Sequence, residues 1–296
     1  MPALEDLARK LASSDPEERR EAAVDLGRLG REALPLLFKA IGDPDWRVRK
    51  TAVEALVALG GEAVISGLIR CLSSHENAGM RNSSIEALVQ LGAGAVEAVL
   101  AALNTPDADV RKFLVDTLGD IRDQRAAPAL IASLDDEDEN ISVSAAEALG
   151  KIGDPSAVEP LIATLARTDR GWLDYAAAEA LGEIGDDRAL GPLLASLGRN
   201  SLREPVLESL GKIGGSSAVD ALIEALSDKG WLNMPEGEGK PGTKKIWVRQ
   251  KAIEALAKIG DARAVAPITE ALNDKQEAVQ KAAQKALQKL GTKTAG

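Results

Sequence analysis

Hydrophobic residues recur along this chain in a helical pattern that itself repeats about every 31 residues. Each copy contains the motif Leu-x-x-(Leu/Ile), usually followed by Gly. The motif begins at nine positions, called the key leucines here: Leu26, Leu56, Leu88, Leu118, Leu149, Leu181, Leu210, Leu256 and Leu287. Their spacing is 29 to 32 residues, except for one interval of 46 that contains an insertion. Internal periods of this length indicate a protein built from stacked structural repeats.

Each key leucine lies on a predicted amphipathic helix, which we name helix B of its repeat. Val48 and Ala52, for example, fall eight and four positions before Leu56, which creates one apolar stripe. A Gly follows the stripe in eight repeats and Arg122 in the fourth, so a left-handed cap is expected there. A shorter apolar segment, helix A of the next repeat, comes after a turn. Prolines mark its predicted start at Pro35, Pro128, Pro160, Pro192 and Pro267.

A single pair of helices cannot bury both of its apolar stripes, but a stack of such pairs can. The sequence therefore predicts an all-α fold, an α-α superhelix (α-solenoid) of nine repeats that forms one domain over residues 1–296. Polar helices in the first and last repeats are expected to cap the stack. The insertion, at about 228–245, is rich in Gly and Pro and predicts a long loop.

Composition limits the chemistry available to the chain. Hydrophobic residues make up 45% of the 296 residues but aromatics 2%, so the core must consist of Ala, Leu, Ile and Val. One Cys excludes an intramolecular disulfide and any multi-thiolate metal site, and one His excludes sites that need two imidazoles. Cys71 lacks an imidazole partner that could activate it. We therefore predict no catalytic residues, no bound metal and no cofactor.

Charge and the chain ends bear on location and partners. The net charge of −10 opposes binding to nucleic acid. No secretory signal is evident at the N-terminus, and no apolar run is long enough for a membrane span. The sequence predicts a cytoplasmic protein that does not bind membranes, with a monomer as the default state.

An arginine column lies seven positions before the key leucine, at Arg19, Arg49, Arg81, Arg111, Arg203 and Arg249. Acidic residues precede several helices B, at Asp43, Asp45, Asp107, Asp136, Asp138 and Asp274. A basic stripe for nucleic acid is one interpretation. We favour a structural ladder, in which each arginine reaches a carboxylate in its own or the neighbouring turn and fixes the stacking of repeats.

An acidic column two positions before the key leucine has two interpretations. It is either a solvated helix face or a track for a basic protein or peptide. Large aromatic residues near this column, rare in this chain, favour an interface because such side chains often anchor partners. The candidate partner-binding residues are Trp172, Tyr175, Glu147, Glu179, Glu183, Glu208, Trp231, Trp247 and Glu254. Trp231 lies in the inserted loop.

Residues 145–162, AAEALGKIGDPSAVEPLI, resemble a HEAT repeat of the short bacterial and archaeal type named after phycobilisome lyase subunits. The resemblance extends over about residues 4–291. It implies that helices B line an inner, concave surface and that the arginine column is structural. Deoxyhypusine hydroxylase, a HEAT-like enzyme, binds two irons through several His-Glu pairs, and this chain has one, His75-Glu76. That activity is therefore not expected.

The leading hypothesis is a non-enzymatic scaffold that binds a protein or peptide, preferably basic, on the concave surface of its helices B. A phycobilin lyase subunit or related tetrapyrrole-handling protein is the alternative, against which stands the lack of a His or Cys cluster to hold a bilin. A DNA-binding HEAT-like protein is a third hypothesis, which the net charge disfavours.

Overall fold

The computed structural model describes residues 4–167, 171–227 and 243–293, and their regular structure is helical, without β-strands. The predicted all-α fold is therefore confirmed over these ranges. The chain divides into two compact units, residues 1–148 and 149–296. Among the described helices, none is both long and apolar enough to cross a lipid bilayer. Residues 228–242 of the predicted inserted loop lie outside the described ranges, whereas residues 243–245 are helical, so the loop was predicted to extend too far. The single nine-repeat domain stays a prediction.

Short and long helices alternate in the first unit. They are α1 (Leu4–Lys10), α2 (Pro16–Leu29), α3 (Leu34–Ala40), α4 (Trp46–Leu59), α5 (Glu62–Cys71), α6 (Ala78–Leu91), α7 (Val96–Ala102), α8 (Ala108–Ile121), α9 (Ala127–Ser133) and α10 (Glu139–Ile152). The last four residues of α10 belong to the second unit. Even-numbered helices contain the key leucines and are the predicted helices B, whereas odd-numbered ones are helices A.

The second unit continues the same alternation. Its helices are α11 (Val158–Ala166), α12 (Gly171–Ile184), α13 (Leu190–Ser196), α14 (Arg203–Ile213), α15 (Gly215–Ser227), α16 (Thr243–Ile259), α17 (Val265–Glu270) and α18 (Glu277–Lys293). Three of the helices A follow a turn of 3-10 helix, at Pro155–Ala157, Asp187–Ala189 and Ala262–Ala264.

Helices B pack side by side in each unit, with helices A forming the second layer. The order is α2, α4, α6 and α8 in the first unit and α12, α14, α16 and α18 in the second. The key leucines lie between the layers. Leu26, Leu56 and Leu149 are fully buried, whereas Leu287 on the last helix is half-buried. This stacking of helix pairs confirms the solenoid architecture within each unit.

Glycines allow three successive helices B of the second unit to approach closely. Gly182 lies one position after a key leucine, and a Cβ added there would come 2.6 Å from Ser209 Cα on the next helix B. At the same register, added Cβ atoms on Gly150 and Gly211 would meet the Cα atoms of Ala180 and Ala255 at 2.9 and 3.1 Å. Small residues on both helices therefore set the spacing of the layer.

The helices B end at the predicted glycines with one exception, but the expected left-handed helical conformation of these glycine caps is wrong, because their positive φ is combined with a strongly negative ψ. Gly30 and Gly214 end α2 and α14 with φ values of 78° and 77°, combined with ψ of −144°. Arg122, which replaces glycine in the fourth repeat, adopts a left-handed helical conformation at φ 60° and ψ 35°. The prediction that Gly291 stops the last helix is wrong, since α18 continues to Lys293. Glycine permits a turn at the end of helix B. At the earlier glycines a helix A packs after the turn and fixes the end of the helix.

The predicted arginine ladder is confirmed at three places. Bidentate pairs join Arg19 to Asp43 at 2.8 and 2.9 Å, and Arg111 to Asp136 at 3.1 Å, 24 or 25 residues further along the chain. Arg249 pairs with Asp274 through one hydrogen bond, from Nη2 to Oδ1 at 3.2 Å. Each of these pairs links a helix B to the loop before the next helix B. Charged pairs that are largely shielded from water and held by two hydrogen bonds fix geometry well.

Other arginines of the column use backbone carbonyls instead. Arg49 donates to the carbonyls of Asp43 and Pro44 at 2.8 and 3.0 Å, and Arg81 to those of Ser74 and His75 at 2.7 and 2.6 Å. These acceptors belong to the loop just before the arginine's own helix. In these repeats the arginine therefore holds the loop that leads into its own helix B.

One pair of the ladder has its charges exchanged. Asp174 occupies the arginine register on α12 and is fully buried, and Arg199 in the loop before α14 donates to its carboxylate. Arg199 also donates to the Leu165 carbonyl at 2.9 Å. Within the described ranges, Asp174 Oδ1 has no hydrogen-bond partner. The interaction is kept while the positions of acid and base are reversed.

A second ladder, which the sequence analysis missed, links successive helices A. Asp186 caps the 3-10 turn by accepting from the Arg188 backbone, and its carboxylate also pairs with the Arg188 guanidinium at 2.8 Å. The same arginine reaches back to Glu159 and the Pro155 carbonyl of the preceding repeat. Two further copies exist, Asp123 with Arg125 and Glu97, and Asp261 with Arg263 and Asp220.

Candidate functional site

The face of helix B that points away from helix A carries most of the candidate residues. Positions nine, six and two before the key leucine and two after it fall opposite the leucine on a helix of 3.6 residues per turn. We call this surface the outer B face. On α12 it consists of Trp172, Tyr175, Glu179 and Glu183, and on α14 it includes Glu204, Glu208 and Lys212.

An aromatic pair begins the outer B face of α12. Trp172 is 75% exposed, although apolar residues of its size are usually buried. Its ring centroid lies 6.2 Å from that of Tyr175, and the ring planes make an angle of 60°. Tilted aromatic pairs at this distance are favourable. The pair holds a large apolar surface in contact with solvent.

Three carboxylates influence the ionisation of the Tyr175 hydroxyl. Burial and the negative charges of Glu179, Glu204 and Glu208 raise the pKa of Tyr175 above its ordinary value of 10.0, and its hydroxyl donates to Glu179. Glu179 lies on the same helix, whereas the other two carboxylates lie on α14. The outer B faces of α12 and α14 therefore form one acidic surface around the aromatic pair.

Lys212 connects the two helices on this surface. Its Nζ lies 2.8 Å from Glu183 Oε1 on α12 and 3.2 Å from Glu208 Oε1 on its own helix. Partial burial opposes its charge, but the hydrogen bonds to these two carboxylates outweigh that effect and raise the pKa of Lys212. Four carboxylates and one ammonium leave the surface strongly negative.

The structure brings together Trp172, Tyr175, Glu179, Glu183 and Glu208 from the predicted set. Sequence reasoning missed Glu204 and Lys212 as members of the site. Both could have been found, because each occupies an outer-face register on the helix next to the aromatic pair.

The remaining predicted residues lie elsewhere. Glu254 is exposed on α16, where Trp247 is half-buried with Lys251 Nζ 5.7 Å from its ring centroid. Glu147 is exposed on α10 in the first unit. Trp231 lies outside the described residues. The expected concavity of the outer B face stays a prediction.

Other candidate groups have structural partners. His75 Nε2 lies 3.2 Å from Asp107 Oδ2, the carboxylate that caps α8. Burial raises the pKa of the Cys71 thiol, which disfavours a nucleophilic thiolate. Within the described ranges, no group of three or more His, Cys, Asp or Glu residues is arranged to hold a metal ion.

A cleft of about 500 Å³ in the first unit is lined mainly by loop residues, including Asp43 and Asn77, together with Arg19 of α2. Arg19 and Asp43 bind each other, and Asn77 donates to the Gly42 carbonyl at 3.0 Å. These polar groups already serve the stacking of repeats. The outer B face of α12 and α14 is therefore the better candidate site.

Stacked helix pairs with a chemically distinct outer face define a helical-repeat scaffold. A family model for HEAT repeats matches residues 1–89, 96–173, 159–232 and 243–296. These matches cover most of the chain, and the protein belongs to the HEAT repeat family. The resemblance noted in residues 145–162 is thereby confirmed. A search of curated proteins found no significant match.

Solved structures with the same architecture agree with this assignment. Kap95p, in a structure describing its binding to RanGDP, is 12% identical, and the match covers 98% of this chain and 47% of Kap95p with a TM-score of 0.59. Escherichia coli YibA is 17% identical over 94% of this chain and 98% of its own, with a TM-score of 0.51. Identities this low show the fold alone.

A structure of the CpcE–CpcF complex of phycocyanin lyase from Nostoc sp. PCC7120 also matches. It is 22% identical, and the match covers 86% of this chain and 96% of the other with a TM-score of 0.34. A score this low supports no argument for the tetrapyrrole-handling alternative.

Proposed function

We propose that this protein is a cytoplasmic, non-enzymatic scaffold that binds a basic protein or peptide segment on the outer B face of α12 and α14. The observation that carries the proposal is the strongly exposed Trp172, which pairs with the half-buried Tyr175 near Glu179, Glu204 and Glu208. Both kinds of group favour a cationic side chain, since aromatic faces attract cations and carboxylates pair with them.

The two kinds of group contribute differently to binding. Carboxylates on the surface mainly accelerate encounter and select the sign of the partner's charge. Trp172 would supply affinity, because buried aromatic anchors dominate the binding energy of many interfaces. An Arg side chain stacked on the indole with its guanidinium beside the carboxylates would use both.

The family supports a protein partner in general terms. The Kap95p structure concerns binding to RanGDP, so a HEAT-repeat stack can bind another protein. The acidic character of the site argues against the DNA-binding hypothesis, because a phosphate backbone would be repelled by Glu204 and Glu208.

The test compares substitutions on the outer B face with matched ones in the first unit. The probe is a fluorescently labelled 12-residue peptide of Arg and Lys with Ser spacers, measured by anisotropy at low salt with the full chain. We expect Trp172→Ala to weaken binding by at least about tenfold and Glu204→Lys by about fivefold. Trp172 is largely exposed, so its loss should leave helix content unchanged.

The first unit provides the controls. Trp46→Ala removes another tryptophan that is 62% exposed, and Glu54→Lys reverses an exposed carboxylate of the acidic column on α4. Both should change the affinity by less than about twofold. Equal losses in the two units, or no binding by the wild-type protein, would overturn the proposal.

A further inference from the structure

The outer B face of the second unit changes charge steadily from α12 to α18. The comparison uses three registers on each helix: six and two positions before the key leucine, and two after it. They hold Tyr175, Glu179 and Glu183 on α12; Glu204, Glu208 and Lys212 on α14; Gln250, Glu254 and Lys258 on α16; and Lys281, Lys285 and Lys289 on α18. The formal charges are −2, −1, 0 and +3 in that order.

These registers lie side by side across the four helices. Lys212 bonds Glu183 across α12 and α14, and Gln250 Nε2 donates to the Ala278 carbonyl at 3.2 Å across α16 and α18. Between them, α14 and α16 meet where Gly211 packs against Ala255. The charge gradient therefore runs over one continuous surface of the second unit.

The requirement to cap the last helix does not explain the lysines of α18. A following helix B would contact the registers three before and one after the key leucine, as the Ser209 hydroxyl does at the Ala178 carbonyl and at Gly182. On α18 those registers hold Gln284 and Gln288, which make that flank polar. The lysines point along the outer B face instead.

The lysines are accessible to a partner. All three are exposed, and the Lys281–Glu277 ion pair at 2.7 Å has both side chains more than 70% exposed. Exposed pairs of this kind contribute little stability and exchange easily for another carboxylate.

Resting on the proposed function, we propose that the bound segment is bipolar: its basic part lies on α12 and α14, and an acidic part lies on α18. Neighbouring helix axes are roughly 8–10 Å apart, so the lysines lie about 24–30 Å from α12 and about 16–20 Å from α14. An extended chain rises about 3.3 Å per residue, so a spacer of roughly seven or eight residues spans this surface.

A second copy of the chain would also match this gradient if the two copies were related by a two-fold axis. A stable dimer, however, is expected to bury an apolar interface core. On the described outer B face of the second unit, Trp172 is the one large apolar residue that is strongly exposed. The surface therefore favours an extended segment with mixed charge.

The experiment uses the full chain and three labelled peptides. The first is the basic block alone, the second joins it through an eight-residue Gly-Ser spacer to a block of three Glu, and the third uses a two-residue spacer. We expect the long-spacer peptide to bind about fivefold more tightly than the short-spacer peptide at low salt, because the short spacer holds its Glu block over Glu204 and Glu208.

Single charge reversals locate the effect. Lys285→Glu should abolish the advantage of the long spacer, whereas Lys275→Glu, the same change in the loop before α18, should preserve it. If the basic block binds through Trp172 but the long spacer gives no advantage, the bipolar inference is wrong and the proposed function stands. If none of the three peptides binds, both fail. Sedimentation that shows a dimer broken by either Glu204→Lys or Lys285→Glu would assign the face to a second copy and overturn the inference.

Discussion

The two units differ in how charge is arranged on their outer B faces, although they use the same repeat and the same registers. In the first unit opposite charges lie close together: Arg20 pairs with Glu17 on α2, and Lys112 Nζ lies 2.8 Å from Asp116 Oδ2 on α8. In the second unit α12 and α14 carry on this face four carboxylates and one lysine, Lys212, which pairs with Glu183 and Glu208, whereas α18 carries three lysines there. Because both units have the same fold, the contrast indicates that the charges on the outer B face can vary without changing the fold, whereas the stacking contacts between repeats must be kept.

Stacking contacts show the opposite behaviour. Arg111 with Asp136 in the first unit and Asp174 with Arg199 in the second join equivalent parts of the fold, even though the charges are exchanged. The charged side chain seven positions before the key leucine therefore pairs with an opposite charge or a backbone carbonyl in a loop. The helix can supply either the base or the acid of the ion pair.

The largest difference between the units is expected from removing one partner of these ion pairs. Arg199→Ala leaves the Asp174 carboxylate buried and uncompensated, with an oxygen that already lacks a hydrogen bond in the described structure. We expect a loss of about 3–5 kcal/mol in the free energy of unfolding, measured by urea denaturation. Arg111→Ala should cost less, about 1–3 kcal/mol, because Asp136 keeps the Asp138 amide as a donor.

Charge exchange provides the control for this comparison. The double variant Asp174→Arg with Arg199→Asp restores the polarity found at Arg111 and Asp136. It should recover part of the stability lost in Arg199→Ala. If Arg199→Ala and Arg111→Ala are equally mild, burial of Asp174 is not what distinguishes the two units.

The next largest loss of stability is expected from a substitution that forces two helices B apart. Gly182→Val places a β-branched side chain where Ser209 Cα lies 2.6 Å from a simple Cβ. In the first unit the same register holds Val57 and Val89 as well as Gly27 and Gly119. We expect a loss of about 1–3 kcal/mol, seen as a lower urea midpoint. Gly191→Ala is the control, since its new Cβ meets no atom within 4 Å and its helix should gain up to about 1 kcal/mol. A variant at Gly182 as stable as the wild type would contradict the close approach.

Much of the fold could be predicted because its signals are local and repeated. Key leucines and the stripe around them specify where helices B lie, and the arginine column predicted the pairs of Arg19, Arg111 and Arg249. The exchanged pair was not predictable in this way. The spacing of 29 residues from Leu181 to Leu210 is the shortest in the chain. Arg199 therefore does not align with the acidic loop residues of the other repeats, and its role as the partner of the buried carboxylate is not visible in the sequence.

The candidate site was predictable in part for a related reason. Trp172, Tyr175 and Glu179 share one helix, where register alone predicts that they are neighbours. Glu204 acts on Tyr175 from the next helix B, and the distance between the two residues depends on how α12 and α14 pack against each other. The helix A ladder was missed although Asp-x-Arg recurs at Asp123, Asp186 and Asp261, because its acidic partners lie in the preceding repeat.

Titration of Tyr175 tests the acidic surface of the second unit directly. It is the sole tyrosine of the chain, so the ultraviolet absorbance of tyrosinate reports on it alone. Its raised pKa means that the folded state keeps the proton above pH 10 while the unfolded state ionises, and stability should fall as the pH rises through that range. Glu204→Gln or Glu208→Gln should lower the pKa of Tyr175 part of the way to its ordinary value, because burial remains.

The first unit again supplies the control. Glu86→Gln neutralises an exposed carboxylate of the same column on α6. It should leave the titration of Tyr175 unchanged. If all three variants shift the pKa of Tyr175 equally, the net charge of the protein raises that pKa and the local acidic surface does not.

The smallest effect is expected in the helix A ladder, where the two units should behave alike. Hydrogen bonds from the side chain and then the backbone of the following arginine lower the pKa of both Asp123 and Asp186 from 3.8 to about 2. A lowered pKa means that this contribution to stability is present above pH 3.8 and is lost as the pH falls towards 2.

Arg188→Gln should raise the pKa of Asp186 towards 3.8 and leave that of Asp123 unchanged, as followed by NMR titration of the carboxyl carbons. Both carboxylates are accessible to solvent, so the effect on thermal stability should be slight. A normal pKa for Asp186 in the wild type, with a lowered one for Asp123, would show that the helix A ladder also differs between the units.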